Sequence, residues 1–136
     1  MVAGWTKLRT ENGDIEVREL AGKEVKVWNG QVFAPVTPRL FTNKRNTVIL
    51  TFDDNTMLFC TPSQWLKLRD GSMETAVRVT PGTGLIFWAN ENGQSVTAEV
   101  KEVTTGPSID VYDIREPLQK AVVCNGILLP MHPVKE

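Results

Sequence analysis

The fold class is decided by one stretch near the middle of the chain, TVILTFDDNTMLFC, which occupies residues 47–60. Residues 47–52 and 56–60 are rich in β-branched, aliphatic and aromatic side chains, which favour β-strands. The polar residues between these segments, Asp53, Asp54 and Asn55, tolerate the backbone of a tight turn. The stretch therefore predicts a β-hairpin.

Comparable hairpins are predicted on both sides of this one. Asn-Gly and Asp-Gly pairs recur along the chain, and they indicate tight turns because these residues accept positive φ angles. The further predicted strands are residues 24–28 and 31–33 around Asn29-Gly30, residues 85–88 and 95–100 around Asn92-Gly93, and the closing segments 109–114 and 121–124. Many short strands at this spacing favour a sandwich or a barrel-like fold.

Helix has little support in the sequence. The best candidate is the segment 63–68, with Ser63 as the N-cap and Trp65, Leu66 and Leu68 as apolar positions. Eight prolines and the lack of a long helical period limit any helix to one or two short turns. Because 136 residues give room for one core, we expect a single all-β domain over residues 1–136.

The composition excludes several classes of function. Lys and Arg total 15 and Asp and Glu total 16, so the net charge of −1 argues against a broad surface for nucleic acid or an anionic membrane. No apolar run approaches the roughly 20 residues of a membrane helix, and the first residues lack a signal-peptide pattern. We therefore expect a cytoplasmic protein, in the host cell if it is viral, that is not secreted. With 2 Cys and 1 His, a zinc site made of four Cys or His ligands cannot form within one chain, and we expect neither a metal nor a cofactor.

Four separated stretches carry a family resemblance. They are, in chain order, residues 6–20 (TKLRTENGDIEVREL), 59–64 (FCTPSQ), 79–85 (VTPGTGL) and 111–129, which begins with VYD and ends with CNGILL. They resemble the successive splicing blocks of inteins, which share the Hint (Hedgehog/intein) fold. The resemblance spans nearly the whole chain and implies a compact, horseshoe-like β domain.

Two further features narrow this resemblance. The stretch between Trp88 and Ile109 is too short for a homing endonuclease, so the resemblance is to mini-inteins. Residues 27–30 (VWNG) and 115–117 (REP) resemble segments of inteins that are inserted in phage or bacterial ribonucleotide reductases.

The resemblance places the N-terminal splicing positions on Met1, Thr61 and Gln64. An intein needs a nucleophilic first residue that attacks the preceding carbonyl, and the thioether of Met1 cannot form the thioester. As chain initiator, Met1 would also have no preceding peptide bond to attack. Thr61 matches the family, whereas Gln64 stands where a His protonates the departing amide nitrogen.

The C-terminal splicing positions fall on Asp113, Lys120, Pro130, Met131 and His132. Asp113 keeps the acidic residue of the VYD block, while Lys120 replaces a His. Pro130 and Met131 replace the His-Asn pair whose Asn cyclises, and His132 falls where Cys, Ser or Thr is expected. Because the positions that form or break covalent bonds are substituted, we expect no active catalytic residue.

Some of the remaining residues have both a structural and a functional interpretation. Cys60 and Cys124 could form a redox pair or supply a nucleophile, but lone cysteines in apolar strands favour buried, reduced core residues. Asn125-Gly126 could cyclise or deamidate, although a hairpin turn explains the pair more simply. Asp113 is expected to be structural, because the sequence offers it no base or nucleophile as a partner.

One basic and aromatic cluster stands out in the sequence. It consists of Arg39, Phe41, Lys44 and Arg45. These residues could contact nucleic acid by stacking on bases and binding phosphates. The net charge of the chain instead favours a solvated hairpin tip, so nucleic acid is not the expected partner.

Three interpretations of function remain open. In the first, which we expect, the chain is a catalytically inactive, intein-derived Hint domain, monomeric, with or without an acquired role in binding a protein partner. In the second, it is a genuine self-splicing or autoprocessing intein in an inactivated form. In the third, it is a small viral β-barrel binding protein unrelated to inteins. None of them involves a membrane.

Overall fold

The computed structural model describes residues 1–41, 44–88, 92, 95–114 and 121–130. Within these ranges the chain forms fifteen strands and two single turns of helix. The strands are β1 (Val2–Ala3), β2 (Lys7–Thr10), β3 (Gly13–Glu16), β4 (Val25–Trp28), β5 (Phe33–Val36), β6 (Arg39–Leu40), β7 (Val48–Phe52), β8 (Met57–Cys60), β9 (Trp65–Lys67), β10 (Met73–Thr75), β11 (Gly84–Phe87), β12 (Val96–Thr105), β13 (Val111–Asp113), β14 (Ala121–Cys124) and β15 (Ile127–Pro130). The helical turns are α1 (Val17–Leu20) and a 3-10 turn at Ala76–Arg78. The prediction of an all-β fold is confirmed.

Thirteen of these strands form one continuous sheet. Its order is β5-β4-β2-β14-β15-β11-β12-β7-β8-β1-β13-β6, with β3 paired to β2, while β9 and β10 form a separate two-stranded sheet. The pairs within the sheet are antiparallel, and strands distant in sequence alternate with local hairpins along the order. The short strand β1 thereby comes to lie between β8 and β13.

The central predicted hairpin is confirmed as β7 paired with β8. Its register runs from Val48 opposite Cys60 to Thr51 opposite Met57. In the turn, Asn55 has a φ of 69°, and Asp54 Oδ1 accepts hydrogen bonds from Thr56 Oγ1 at 2.6 Å and from Thr56 N at 2.9 Å. These bonds from Thr56 hold the pKa of Asp54 below its ordinary value.

The other predicted hairpins also form, with small changes in their bounds. The pairs are β4 with β5, and β11 with β12, although β5 begins only at Phe33. Asn92 lies in the turn between β11 and β12, whereas Gly93 falls outside the described residues. The closing segments become β13 and β14, and β14 continues through Asn125-Gly126 into β15.

The predicted helix at 63–68 is wrong. Residues 65–67 form β9, in which Leu66 is fully buried between the half-buried Trp65 and Lys67. Ser63 does not cap a helix, because it lies within a turn in which Gln64 N donates to Thr61 O at 3.0 Å. The helical turns occur at other places, and no helix in the described part of the chain is long and apolar enough to cross a membrane.

The core is built from strand residues that alternate in burial. Along β7, Val48, Leu50 and Phe52 are buried while the residues between them are half-buried. Leu58 and Cys60 of β8 join the same cluster from the paired strand. Burial of these side chains removes apolar surface from water and contributes much of the stability of the domain.

Candidate functional site

Strand β1 carries Met1 to the centre of the candidate site. Val2 is opposite Cys60 on one side of β1 and opposite Tyr112 on the other. One further step in both registers places Met1 opposite Thr61 and opposite Asp113. A hydrogen bond of 3.0 Å from Thr61 N to Met1 O supports the first of these two pairings.

The Met1 nitrogen contacts both of the other predicted N-terminal splicing positions. It donates to Gln64 Oε1 at 2.6 Å and to Thr61 Oγ1 at 3.3 Å. The family resemblance placed Met1, Thr61 and Gln64 in one site although strands β1 to β8 lie between Met1 and Thr61. The structure brings these three residues together, and we call them the Met1 cluster.

The side chain of Gln64 is held in one orientation. Its Nε2 donates to Trp65 O at 3.0 Å, and its backbone O accepts from Ala76 N at 2.9 Å. The amide oxygen of Gln64 therefore points at the Met1 nitrogen, while the amide nitrogen is used elsewhere. In this orientation Gln64 presents an acceptor to Met1 and no proton donor.

Met1 and Gln64 differ in their chemistry from the two groups that carry out the acyl shift of an intein. A thioether has no ionisable proton and is not activated as a nucleophile. An amide does not exchange a proton near neutral pH, so Gln64 cannot act as a general acid. Thr61, with 7 % of its surface exposed, can donate a hydrogen bond to an oxygen but cannot replace the missing acid.

The C-terminal half of the predicted site is only partly described. Asp113 is half-buried at the end of β13, where it is opposite Arg39 of β6. Pro130 is half-buried at the end of β15 and is opposite Ala121. Lys120, Met131 and His132 lie outside the described residues, so these predicted positions stay predictions.

The basic and aromatic cluster divides into two parts. The guanidinium carbon of Arg45 lies 4.7 Å from the centroid of the Phe41 ring, which is a cation–π contact. Arg45 is also bridged to Ile109, with N to O distances of 2.9 and 3.0 Å. Arg39 is separate from this pair, because it is opposite Asp113 at the edge of the sheet.

Lys44 and Arg45 line the same open pocket as Met1 and Thr61 of the Met1 cluster. The pocket has a volume of about 570 Å³ and is lined by Met1, Lys44, Arg45, Asn46, Thr61, Pro62 and Ser63. We call it the Met1 pocket. The sequence favoured a separate hairpin tip for the basic cluster. It did not indicate that Asn46 and Ser63 would line a pocket together with that cluster. The pairing register of the predicted hairpin carries this information. Extending the register of β7 and β8 beyond Val48 and Cys60 puts Asn46 opposite Pro62 and Arg45 opposite Ser63.

Both cysteines are buried and unpaired, as the structural interpretation predicted. Burial raises the pKa of the Cys60 thiol and that of the Cys124 thiol to about 12. A thiol in this environment is neither a nucleophile nor a metal ligand at neutral pH. Within the described ranges, no group of three His, Cys, Asp or Glu residues could hold a metal ion.

The turn interpretation of Asn125-Gly126 is confirmed. Asn125 and Gly126 have φ angles of 52° and 83°, and they connect β14 to β15. Asn125 Oδ1 accepts from Lys7 N at 2.8 Å, and Asn125 Nδ2 donates to Met57 O at 3.0 Å. The side chain of Asn125 therefore links the hairpin to two other strands instead of being poised for cyclisation.

Comparison with solved structures gives the class of fold. The chain matches variant M86 of the Ssp DnaB mini-intein with a TM-score of 0.84 and 14% identity, over 99% of this chain and 96% of that one. It matches a DnaB intein from Synechocystis sp. PCC 6803 with a TM-score of 0.81 and 16% identity, over 96% and 97%. It matches the gp41-1 intein with a TM-score of 0.75 and 15% identity, over 95% and 96%. The chain has the Hint fold of mini-inteins. The third interpretation, a small β-barrel, is therefore wrong about the fold.

Sequence comparison with curated proteins gives a match over a shorter segment. The chain is 34% identical, over 61 residues, to the ribonucleoside-diphosphate reductase large subunit of Invertebrate iridescent virus 6. The matched segment is 45% of this chain and only 6% of that protein. No protein-family model matches the chain.

Proposed function

We propose that this chain is an intein-derived Hint domain that no longer splices. The observation that carries the proposal is the Met1 cluster, in which the first residue, Thr61 and Gln64 are in contact without a nucleophile or a general acid. A fold shared with mini-inteins and a similarity to a ribonucleoside-diphosphate reductase support descent from an intein inserted in such an enzyme.

The cluster keeps the contacts expected of a splice junction while its chemistry is lost. Gln64 accepts from the Met1 nitrogen at 2.6 Å, which is the place where a histidine would have to reach the departing nitrogen. An amide can occupy that place and preserve the hydrogen bond without transferring a proton. Substitution at this position therefore removes catalysis with little effect on packing.

A second candidate function is a splicing intein with altered catalytic groups. One observation favours it, namely that the Met1 nitrogen and Thr61 Oγ1 remain 3.3 Å apart. A role in binding a protein partner is compatible with the first candidate and does not require the cluster to react.

A reporter fusion distinguishes the two candidates. Reporter domains are fused to both ends of the native chain and of the variants M1C/Q64H and M1C/Q64A, and products are followed on gels with and without added thiol. We expect no cleavage of the native fusion and thiol-dependent release of the N-terminal reporter from M1C/Q64H. The matched variant M1C/Q64A should cleave about 100-fold more slowly, because it lacks the general acid.

Two outcomes of this experiment count against the proposal. A spliced or cleaved product from the native fusion would show that the native residues still react. An M1C/Q64H fusion that folds but is not cleaved would show that the junction has lost its geometry as well as its reactive groups.

A further inference from the structure

We propose that the Met1 pocket binds an oxyanion of the phosphate class. Lys44 and Arg45 are the two cationic side chains of the pocket, and none of the lining residues that the structure describes is acidic. Neither of the two forms an ion pair within the part of the chain that the structure describes. This ligand site goes beyond splicing, because it does not require any covalent step.

The position of Arg45 is fixed before a ligand arrives. Its backbone forms both hydrogen bonds of a bridge with Ile109, at 2.9 and 3.0 Å. Its guanidinium group is held over the Phe41 ring by the cation–π contact at 4.7 Å. A cation that is already oriented loses less conformational entropy on binding than a freely rotating side chain.

Polar donors complete the lining of the pocket. Thr61 Oγ1 accepts from the Met1 nitrogen, so the hydroxyl proton of Thr61 remains available to a ligand. Ser63 and Asn46 also line the pocket, and each has a side chain that can donate a hydrogen bond. A phosphate group has three terminal oxygens, which suit two cations and several neutral donors better than the two oxygens of a carboxylate do.

The same geometry argues against an extended nucleic-acid strand. Arg45 covers one face of Phe41, so that face cannot stack on a base. Arg39, which would extend the basic surface, is opposite Asp113 on the neighbouring strand. Within the basic and aromatic cluster, the two remaining cations, Lys44 and Arg45, both line the pocket, as a compact anion requires.

The test is a titration of the full chain with inorganic phosphate, phosphoserine and a nucleoside monophosphate. Amide chemical shifts are followed at constant ionic strength with chloride as the background anion. We expect saturable shifts at Lys44, Arg45 and Ser63 for at least one of the three ligands, and the ligand that binds most tightly identifies the source of the phosphate group.

Variants separate a site from a general charge effect. Arg45→Gln and Lys44→Gln should each weaken binding about tenfold, as expected for the loss of one hydrogen bond to a charged group. Lys23→Gln removes an exposed lysine that does not line the pocket and should leave binding unchanged. Phe41→Leu keeps every charge but removes the support of Arg45, and it should weaken binding by a smaller factor.

Three outcomes would overturn the proposal. One is a set of shifts that do not saturate for any ligand. Another is equal weakening by Arg45→Gln and Lys23→Gln. The third is a single-stranded oligonucleotide without terminal phosphate that binds more tightly than all three ligands, which would indicate diffuse electrostatic attraction. Unchanged dispersion of the spectra shows that the variants are folded in each case.

Discussion

The two polar ends of the Gln64 side chain have separate hydrogen-bond partners. The amide oxygen accepts from the Met1 nitrogen, while the amide nitrogen is fixed on Trp65 O. Because both polar ends of the side chain are satisfied, the substituted site is not left with a buried unpaired group. A glutamine at this position therefore carries little cost in stability.

The two buried thiols predict a loss of stability in alkaline solution. An unfolded cysteine ionises near pH 9.0, whereas burial raises the pKa of Cys60 and Cys124 to about 12. The contribution of each thiol to the free energy of unfolding is complete below pH 9.0 and is lost as the pH rises toward about 12. The slope is about 1.4 kcal/mol per pH unit for each thiol, and urea unfolding at several pH values measures it.

The double variant Cys60→Ala/Cys124→Ala serves as the control for this pH dependence. Its free energy of unfolding should fall less steeply than that of the native chain over the same range. A thiol reagent at pH 8 should label neither cysteine until the chain is unfolded. Rapid labelling of the folded protein would contradict the burial of these thiols.

Gly126 is required both for its backbone angle and for the space above it. Its φ is 83°, and a Cβ at this position would overlap the Phe87 ring. Gly13 has a φ of 101° but nothing within 4 Å of an added Cβ, so Gly13→Ala measures backbone strain alone. We expect Gly13→Ala to cost roughly 1–2 kcal/mol and Gly126→Ala to cost about 1–3 kcal/mol more. Thermal unfolding measures both, and equal costs would mean that the Phe87 ring moves aside freely.

At the scale of elements, β9 replaces the helix that the sequence favoured. Leu66 is fully buried and Lys67 beside it is half-buried, in the alternation of a strand. We expect Leu66→Ala to lower the free energy of unfolding by about 2–5 kcal/mol, and Lys67→Ala by less than about 1 kcal/mol. Urea unfolding is the measurement, and similar losses at the two positions would contradict the strand.

The helix prediction was wrong for a reason that lies in the element itself. Apolar residues at 65, 66 and 68 fit a short helix about as well as a short strand, since so few residues do not define a period. Ser63, the predicted N-cap, instead lies within the Thr61 to Gln64 turn. The pairing of β9 with β10 stabilises this segment as a strand, and no local pattern in the sequence predicted that pairing.

Longer hairpins were predictable because their signal is local. Segments 47–52 and 56–60 carry β-forming side chains and enclose a turn, and the structure pairs them as β7 and β8. The contact of Lys44 and Arg45 with the Met1 pocket follows from the same register. By contrast, the insertion of β1 between β8 and β13 joins distant parts of the chain, and only the family resemblance indicated that Met1 would meet Thr61 and Gln64.

At the scale of the whole molecule, the order of the sheet predicts where it opens first. Strands β7 and β8 lie inside the long sheet and carry buried Leu50 and Leu58, whereas β6 is an edge strand with both residues exposed. We expect the amides of β7 and β8 to exchange with solvent more slowly than those of β6, by at least about 100-fold. Hydrogen exchange followed by NMR measures this difference, and equal protection of β6 and β7 would contradict the order of strands.

The insertion of β1 has a practical consequence for handling the protein. Met1 itself lines the pocket, and its nitrogen donates hydrogen bonds to Gln64 and Thr61. Any residue joined ahead of Met1, such as the remnant of an affinity tag after proteolysis, must leave the domain beside Lys44 and Arg45. Even a two-residue remnant would occupy space at the Met1 pocket. We therefore expect preparations that differ only in the tag to differ in their affinity for a phosphate ligand.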